Sequence, residues 1–321
     1  MAELLIIGHC TIDTIHLADG TELSETFGGA AAYASVGAAI TGADVVLVSR
    51  VGADYPLSRL ANGLSSSGRV DAGHVRVCAE RSIRNDAWYS SDGSRRWEIE
   101  SWRTLEALMP EPADVPSLRR LGAALIAPAL TAQQSALVET CALLGPVALD
   151  TEVHYLSRER ERSELLELVG KVDYFLPSIE HLNALFADES REPLEYAGRL
   201  AAFGARIVAV KHGLSGSTVM DFLSGCAWCV PAVPRVDAKD TTGAGDGYDG
   251  GLLAALAGGA SLPSAACWGA VAASFVVETV GASAPDRFDP REAARRFREL
   301  RPQVIERPLC PSQAEKEPAA S

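Results

Sequence analysis

Seven consecutive residues, Asp240-Thr241-Thr242-Gly243-Ala244-Gly245-Asp246, hold the parts that phosphoryl transfer needs. An apolar run over 226–236 precedes them and reads as a strand. Residues 248–256 follow with apolar and small side chains at helical spacing. The glycines therefore lie at a strand-to-helix turn, where the first helical amides have no internal partners. Those donors, with the positive end of the helix dipole, make an anion site. Gly243, Ala244 and Gly245 carry no bulky side chain, so a phosphate can approach the main chain. Asp246 enters the helix beside that cradle, placed to take the proton from an attacking hydroxyl.

Three further groups of residues belong with this turn. Gly28-Gly29 precedes a small-residue helix that contains Tyr33, and the pair lets the chain turn tightly with its amides against a substrate hydroxyl. Asp13 follows the first strand, at the ligand side of an open α/β sheet, and a carboxylate there accepts hydrogen bonds from a polyol. Lys211-His212-Gly213-Leu214-Ser215-Gly216 ends a strand and enters a tight turn, with Lys211 either a point charge near a phosphate or a solvated strand end.

Together these strings resemble the PfkB (ribokinase-like) family of carbohydrate and nucleoside kinases over roughly residues 3–305. The heptad is similar to the family's second signature, and Gly28-Gly29 to its first, where a glycine pair contacts the sugar. The resemblance implies transfer of the γ-phosphoryl group of ATP to a hydroxyl of a sugar, an inositol-like polyol or a nucleoside. Asp246 would be the general base and Gly243, Ala244 and Gly245 the anion hole. Asp13, Gly28, Gly29 and Tyr33 would hold the acceptor. Lys211, Gly213, Gly216, Thr241, Gly269 and Ala273 would lie along the nucleotide. Asp240 and Thr242 would belong to a monovalent-cation loop, with K⁺ as the ion, and Mg²⁺ would accompany ATP.

Three departures from the family pattern stand out. Tyr33 replaces an Asn, which implies either an aromatic wall for a flatter acceptor or a core residue. Pro177-Ser178-Ile179-Glu180-His181 replaces N-x-x-E, leaving Glu180 as the candidate Mg²⁺ residue; the same cluster reads equally as a helix start with Ser178 as N-cap. Asp150-Thr151-Glu152 replaces the more usual D-x-N. These changes leave room for a non-catalytic nucleotide or sugar sensor built on the kinase fold.

The elements that must position these groups alternate along the chain. Strand patterns cover 4–7, 45–49, 124–127, 147–150, 174–177, 207–211 and 218–222. Helical patterns lie near 29–40, 57–66, 132–144, 159–169, 194–203, 247–257 and 267–280. Alternation at this spacing predicts an α/β fold with a mostly parallel sheet covered by helices on both faces. With the family resemblance, this is a ribokinase-like three-layer α/β/α sandwich over 1–310. Residues 11–27 and 75–102 break the pattern with alternation suited to exposed antiparallel strands. By resemblance they form a small β-strand lid, with a hairpin turn at Ser91-Asp92-Gly93-Ser94; a homodimer through that lid is left open. Residues 311–321 read as a disordered tail.

Composition narrows the class. With 29 basic against 42 acidic residues, the net charge of −13 has the wrong sign for general nucleic-acid binding. No apolar run reaches membrane-spanning length and no signal peptide is evident, so a cytoplasmic location is expected. Seven cysteines, an odd number spread along the chain, argue against a disulfide framework. The absence of G-x-x-x-x-G-K-[ST] and of G-x-G-x-x-G after the first strand removes P-loop and nicotinamide readings.

Overall fold

In the computed structural model, residues 3–90, 95–118, 120–187, 191–282 and 288–309 are described. The expected hairpin turn at 91–94 and the expected tail at 311–321 lie outside them. The chain begins with β1 (Glu3–Ile7), β2 (Thr11–His16), β3 (Glu22–Gly28), α1 (Ala30–Ile40), β4 (Asp44–Val51), α2 (Leu57–Leu64) and β5 (Val70–Val77). It continues through β6 (Arg84–Tyr89), β7 (Arg95–Ile99), α3 (Trp102–Ala107), β8 (Ala123–Ile126), α4 (Thr131–Cys141), β9 (Val147–Leu149), α5 (Val153–Leu156) and α6 (Glu159–Val169). Then come β10 (Tyr174–Phe175), α7 (Ile179–Phe186), α8 (Ala197–Ala202), β11 (Ile207–Lys211), β12 (Ser217–Asp221) and β13 (Cys226–Val230). The last elements are α9 (Ala244–Ala257), α10 (Leu262–Val276), α11 (Pro290–Leu300) and β14 (Ile305–Pro308).

The large sheet has the order β14-β13-β12-β11-β10-β9-β8-β1-β4-β5. It is parallel from β11 to β5 and antiparallel at β12, β13 and β14. Strands buried on both faces carry apolar side chains at every position, and successive side chains enter opposite cores. In β1, Leu4 and Ile6 join the core beneath α1, α2, α9 and α10. Leu5 and Ile7 join the core beneath α4, α6, α7 and α8. Each such fully buried side chain contributes roughly 1.5–3 kcal/mol. The three-layer expectation holds.

Helices α1 and α9 pack backbone to backbone. A Cβ on Gly37 would collide with the Gly247 carbonyl, and one on Gly250 with the Ala34 carbonyl. This contact sets the helix that carries Asp246 against the helix that follows Gly28-Gly29.

A separate four-stranded sheet, β3-β2-β6-β7, forms the lid. Residues 70–77, partly assigned above to the lid, instead pair in parallel with β4 as β5, the edge of the large sheet. The second lid insertion thus starts at Arg84. The strand expected over 226–236 ends at Val230, and the catalytic helix begins at Ala244 rather than at 247. Helix α11 and strand β14 were not anticipated. Among the described residues six cysteines are free, and no helix is long and apolar enough to cross a membrane.

Candidate active site

The groups singled out above gather where the parallel strands end and the lid begins, the usual ligand side of an open α/β sheet. Gly243 is the N-cap of α9 with φ 74°, a left-handed conformation that suits glycine. Among the described residues no side chain caps α9; the Ala244 amide reaches back to the Thr241 carbonyl at 3.4 Å, a long contact with which an anion at this helix start would compete. The Tyr33 ring lies against Gly243 so closely that a Cβ there would collide with it. Tyr33 is therefore both a core residue, 2% exposed, and part of the cavity lining. Its hydroxyl has no hydrogen-bond partner among the described residues. Burial, then the charges of Asp13, Asp240 and Asp246, keep its proton in place.

Asp246 stands in the first turn of α9. Burial first, and then the negative charge of Asp150, push its carboxyl up to about 6, against the pull of Lys211. A base poised near the operating pH suits proton abstraction. The Lys211 ammonium, expected near the phosphates, is buried and spent on two carboxylates: it donates to Asp150 Oδ2 at 2.9 Å and to Asp249 Oδ2 at 2.7 Å. It backs the turn from behind, since a Cβ on Gly245 would lie 3.6 Å from Nζ. Despite the cost of burial, the two carboxylates hold Lys211 in its charged form, and Lys211 with His181 holds Asp150 ionised.

Asp13 and Asn85 belong to the four-stranded sheet. Asp13 is fully buried; its Oδ1 accepts hydrogen bonds from Thr11 Oγ1 and Asn85 Nδ2, both at 2.8 Å. Its Oδ2 has no hydrogen-bond partner among the described residues and packs against Gly28, where any side chain would collide with it. Burial raises the Asp13 carboxyl to about 7, against these two hydrogen bonds and helped by Asp240. Asp13 thus stands behind Thr11 and Asn85, which face a cavity of about 440 Å³. Gly29, with φ 96°, starts α1 at the cavity edge. Trp97, Ile99, Trp102, Leu105 and Tyr155 line it too, as do Glu152, Thr242, Gly243 and Asp246. Trp102 stacks on His154 at 3.6 Å between ring centroids and meets Tyr155 edge-on. His9 is held neutral by burial, its pKa lowered to about 4, and bonds the Leu105 carbonyl at 2.8 Å.

The remaining expectations fare differently. Thr241 is exposed beside the turn. Gly213 is exposed, and Gly216 is needed because the chain after β13 passes against it. Gly269, expected along the nucleotide, is instead where α10 packs on the Tyr248 ring, and Ala273 is half-buried on the same helix. Glu180 is exposed in the first turn of α7, away from the carboxylates, so the helix-start reading holds for it. His181 is the neighbour that faces inward, 3.7 Å from Asp150 Oδ1, while its Nδ1 accepts from the Ser178 amide.

Among the described residues no three His, Cys, Asp or Glu side chains converge as a metal cage. Mg²⁺ commonly takes one or two carboxylates and completes its shell from phosphates and water, and Glu152 is the cavity-facing carboxylate besides Asp246 that fits this role. The cation expected at Asp240 and Thr242 fits less well. Asp240 Oδ1 accepts from the Thr242 amide at 2.8 Å and from the Tyr89 hydroxyl, and Oδ2 accepts from the Gly281 amide at 3.3 Å. The Thr242 hydroxyl also bonds Tyr89.

Asn85, Tyr89, Trp102, Tyr155 and Asp249 escaped the sequence reading. Three of them left a signal: Asn85 and Tyr89 fall with Ala87 on one face of a strand, and Asp249 follows Asp246 by one helical turn.

Comparison with known proteins agrees with this geometry. Residues 1–288 match the pfkB family of carbohydrate kinases. The chain is 30% identical to a cytidine kinase of Thermococcus kodakarensis over 82% of its own length and 91% of the relative's. It is 26% identical to a nucleoside kinase of Methanothermobacter thermautotrophicus, covering 92% and 95%. A solved structure of Arabidopsis thaliana ribokinase with ribose and ATP superposes with a TM-score of 0.70 at 20% identity, covering 92% of this chain and 98% of that one.

Proposed function

The chain belongs to the pfkB family of carbohydrate kinases and is a sugar or nucleoside kinase; from that premise we propose that its acceptor is a nucleoside. The observation that carries this reading is a cavity lined by polar groups and aromatic surface together. Thr11 and Asn85 line it with Asp13 beside them, and Asn85 Oδ1 and Asp13 Oδ2, without hydrogen-bond partners among the described residues, suit ribose hydroxyls. Trp97, Ile99, Trp102 and Tyr155 add aromatic and aliphatic surface that suits the flat face of a base. A free sugar would leave that surface uncovered. Two relatives are named cytidine kinase and nucleoside kinase, which supports the same acceptor class.

Bound ATP with Mg²⁺ would supply the γ-phosphoryl group and neutralise part of its charge, with Glu152 as the carboxylate that holds the metal. The chain's own residues then divide the work. The amides of Gly243, Ala244 and Gly245 receive the negative oxygens of the transferring group, a role for which preorganised donors are effective. Asp246 takes the proton of the attacking hydroxyl. Lys211, fixed between Asp150 and Asp249, backs Gly245 without entering the cavity. Tyr33 keeps the Gly243 turn from collapsing inward.

Steady-state ADP release with cytidine, uridine, adenosine, ribose, fructose and myo-inositol tests the proposal. A nucleoside should have the highest kcat/KM. If a free sugar or inositol leads the panel, the aromatic surface of the cavity does not select a base.

A further inference from the structure

The lid touches the catalytic turn through the Tyr89 side chain. Tyr89 is the last residue of β6, and its hydroxyl donates to Asp240 Oδ1. The same oxygen accepts from the Thr241 amide at 3.0 Å and lies 3.0 Å from Thr242 Oγ1. The phenol is thus engaged with all three residues that lead into Gly243. Asp240 in turn accepts from the amides of Thr242 and Gly281, so the segment is closed into one hydrogen-bonded knot with Tyr89 inside it.

The other end of the same strand reaches the acceptor. Asn85 donates to Asp13 and lines the cavity, and residues 85, 87 and 89 fall on one face because strand side chains alternate. At roughly 3.3 Å per residue, Asn85 and Tyr89 stand about 13 Å apart along β6. A paired strand is stiff over that length: β6 is bonded to β2 on one side and β7 on the other. Seating an acceptor at Asn85 and seating the phenol at Asp240 are therefore one movement of one element.

We propose that Tyr89 is a positioning residue for phosphoryl transfer, tying the acceptor-bearing lid to the turn that carries the anion hole, so that the amides of Gly243–Gly245 are held in place only when the lid is down. The phenol also accounts for the poor fit of a monovalent cation at Asp240 and Thr242, because a protein donor already orders those oxygens. The proposal rests on the kinase reading for its rate consequence but not for its structural one, and the two are measured separately.

Tyr89→Phe removes one oxygen and keeps the ring. In the full chain without ligands, hydrogen exchange should speed up at least tenfold in the peptide spanning 240–246 and stay unchanged in β1 and β8. With ATP and the best acceptor, kcat should fall at least tenfold while KM for both substrates stays within about threefold. Unchanged exchange at 240–246 overturns the tether whether or not the protein turns over any acceptor. A raised acceptor KM with unchanged kcat overturns the positioning role, since it would make Tyr89 a wall of the acceptor site. If wild type phosphorylates nothing in the panel, the kinase reading falls, and the exchange result alone decides for or against the tether.

Discussion

Titration of two buried carboxylates should give the rate a shape that few other arrangements would produce. Asp246 is raised to about 6 by burial and by Asp150, and Asp13 to about 7 by burial. With Asp246 as the proposed base and Asp13 as a proposed acceptor-holding residue, both must be ionised, and activity should be lost as pH falls. The profile of kcat/KM for the acceptor reports the free enzyme. It should be level above pH 8, fall with a slope of one between about 7 and 6, and approach a slope of two below 6. At pH 7 Asp246 is about ten parts ionised to one protonated, and at pH 5 the ratio is reversed, at one decade per unit. Asp13→Asn should remove the upper limb and leave a single fall near 6. Asp246→Asn keeps the shape of the side chain but takes no proton; the loss should be about 10²–10⁴-fold in kcat, or about 3–5 kcal/mol of barrier. Coupled measurement of ADP release between pH 5 and 9, with thermal unfolding recorded at each pH, separates titration from denaturation. A level profile from pH 5 to 8 in a folded enzyme, or an Asp246→Asn variant within tenfold of wild type, would refute the assignment of Asp246 as base.

Gly243→Ala should destabilise the protein by about 2–5 kcal/mol in urea unfolding, from the left-handed backbone (about 1–2) and the forced shift of the Tyr33 ring (about 1–3). Adding Tyr33→Ala should return no stability if the ring is not what the new methyl meets, so a smaller loss for Gly243→Ala measured in the Tyr33→Ala background checks the contact. Asp13→Ala should weaken acceptor binding by about 10–100-fold, the worth of charge-assisted hydrogen bonds, and leave ATP binding nearly unchanged by calorimetry; equal losses for both ligands would move Asp13 out of the acceptor site. Replacing K⁺ by tetramethylammonium should change kcat less than about twofold, because Asp240 and Thr242 are ordered by Tyr89 and by backbone amides; a tenfold loss would place a cation among these residues after all.

What could be read along the chain was what is local. The strand at β1 announced itself because four consecutive apolar residues serve two cores at once, and the turn at Gly243 because a left-handed cap and a bare helix start need small residues in a row. Where local pattern and pairing parted, the reading failed. Residues 70–77 alternate like a lid strand, with only Val70 and Val75 buried, yet they pair with β4 because an edge strand also has one wet face. Helix α11 was missed although Asp289 caps it and Pro290 starts it, because its charged residues, paired among themselves, hide a narrow apolar stripe.

The sequence by itself determined the fold class and the kind of chemistry, since strand period, helix start and the order of Gly and Asp residues are properties of neighbouring positions. Only the tertiary structure decided which distant residues meet. Asn85 reaches Asp13 across 72 positions and Tyr89 reaches Asp240 across 151, both through the pairing of β6 in the lid sheet. It also decided that Lys211 would be buried between Asp150 and Asp249 instead of facing a phosphate. A lysine at a strand end has the same local pattern in either case; the difference is whether carboxylates from β9 and α9 arrive to compensate its charge once the sheet and helix close over it.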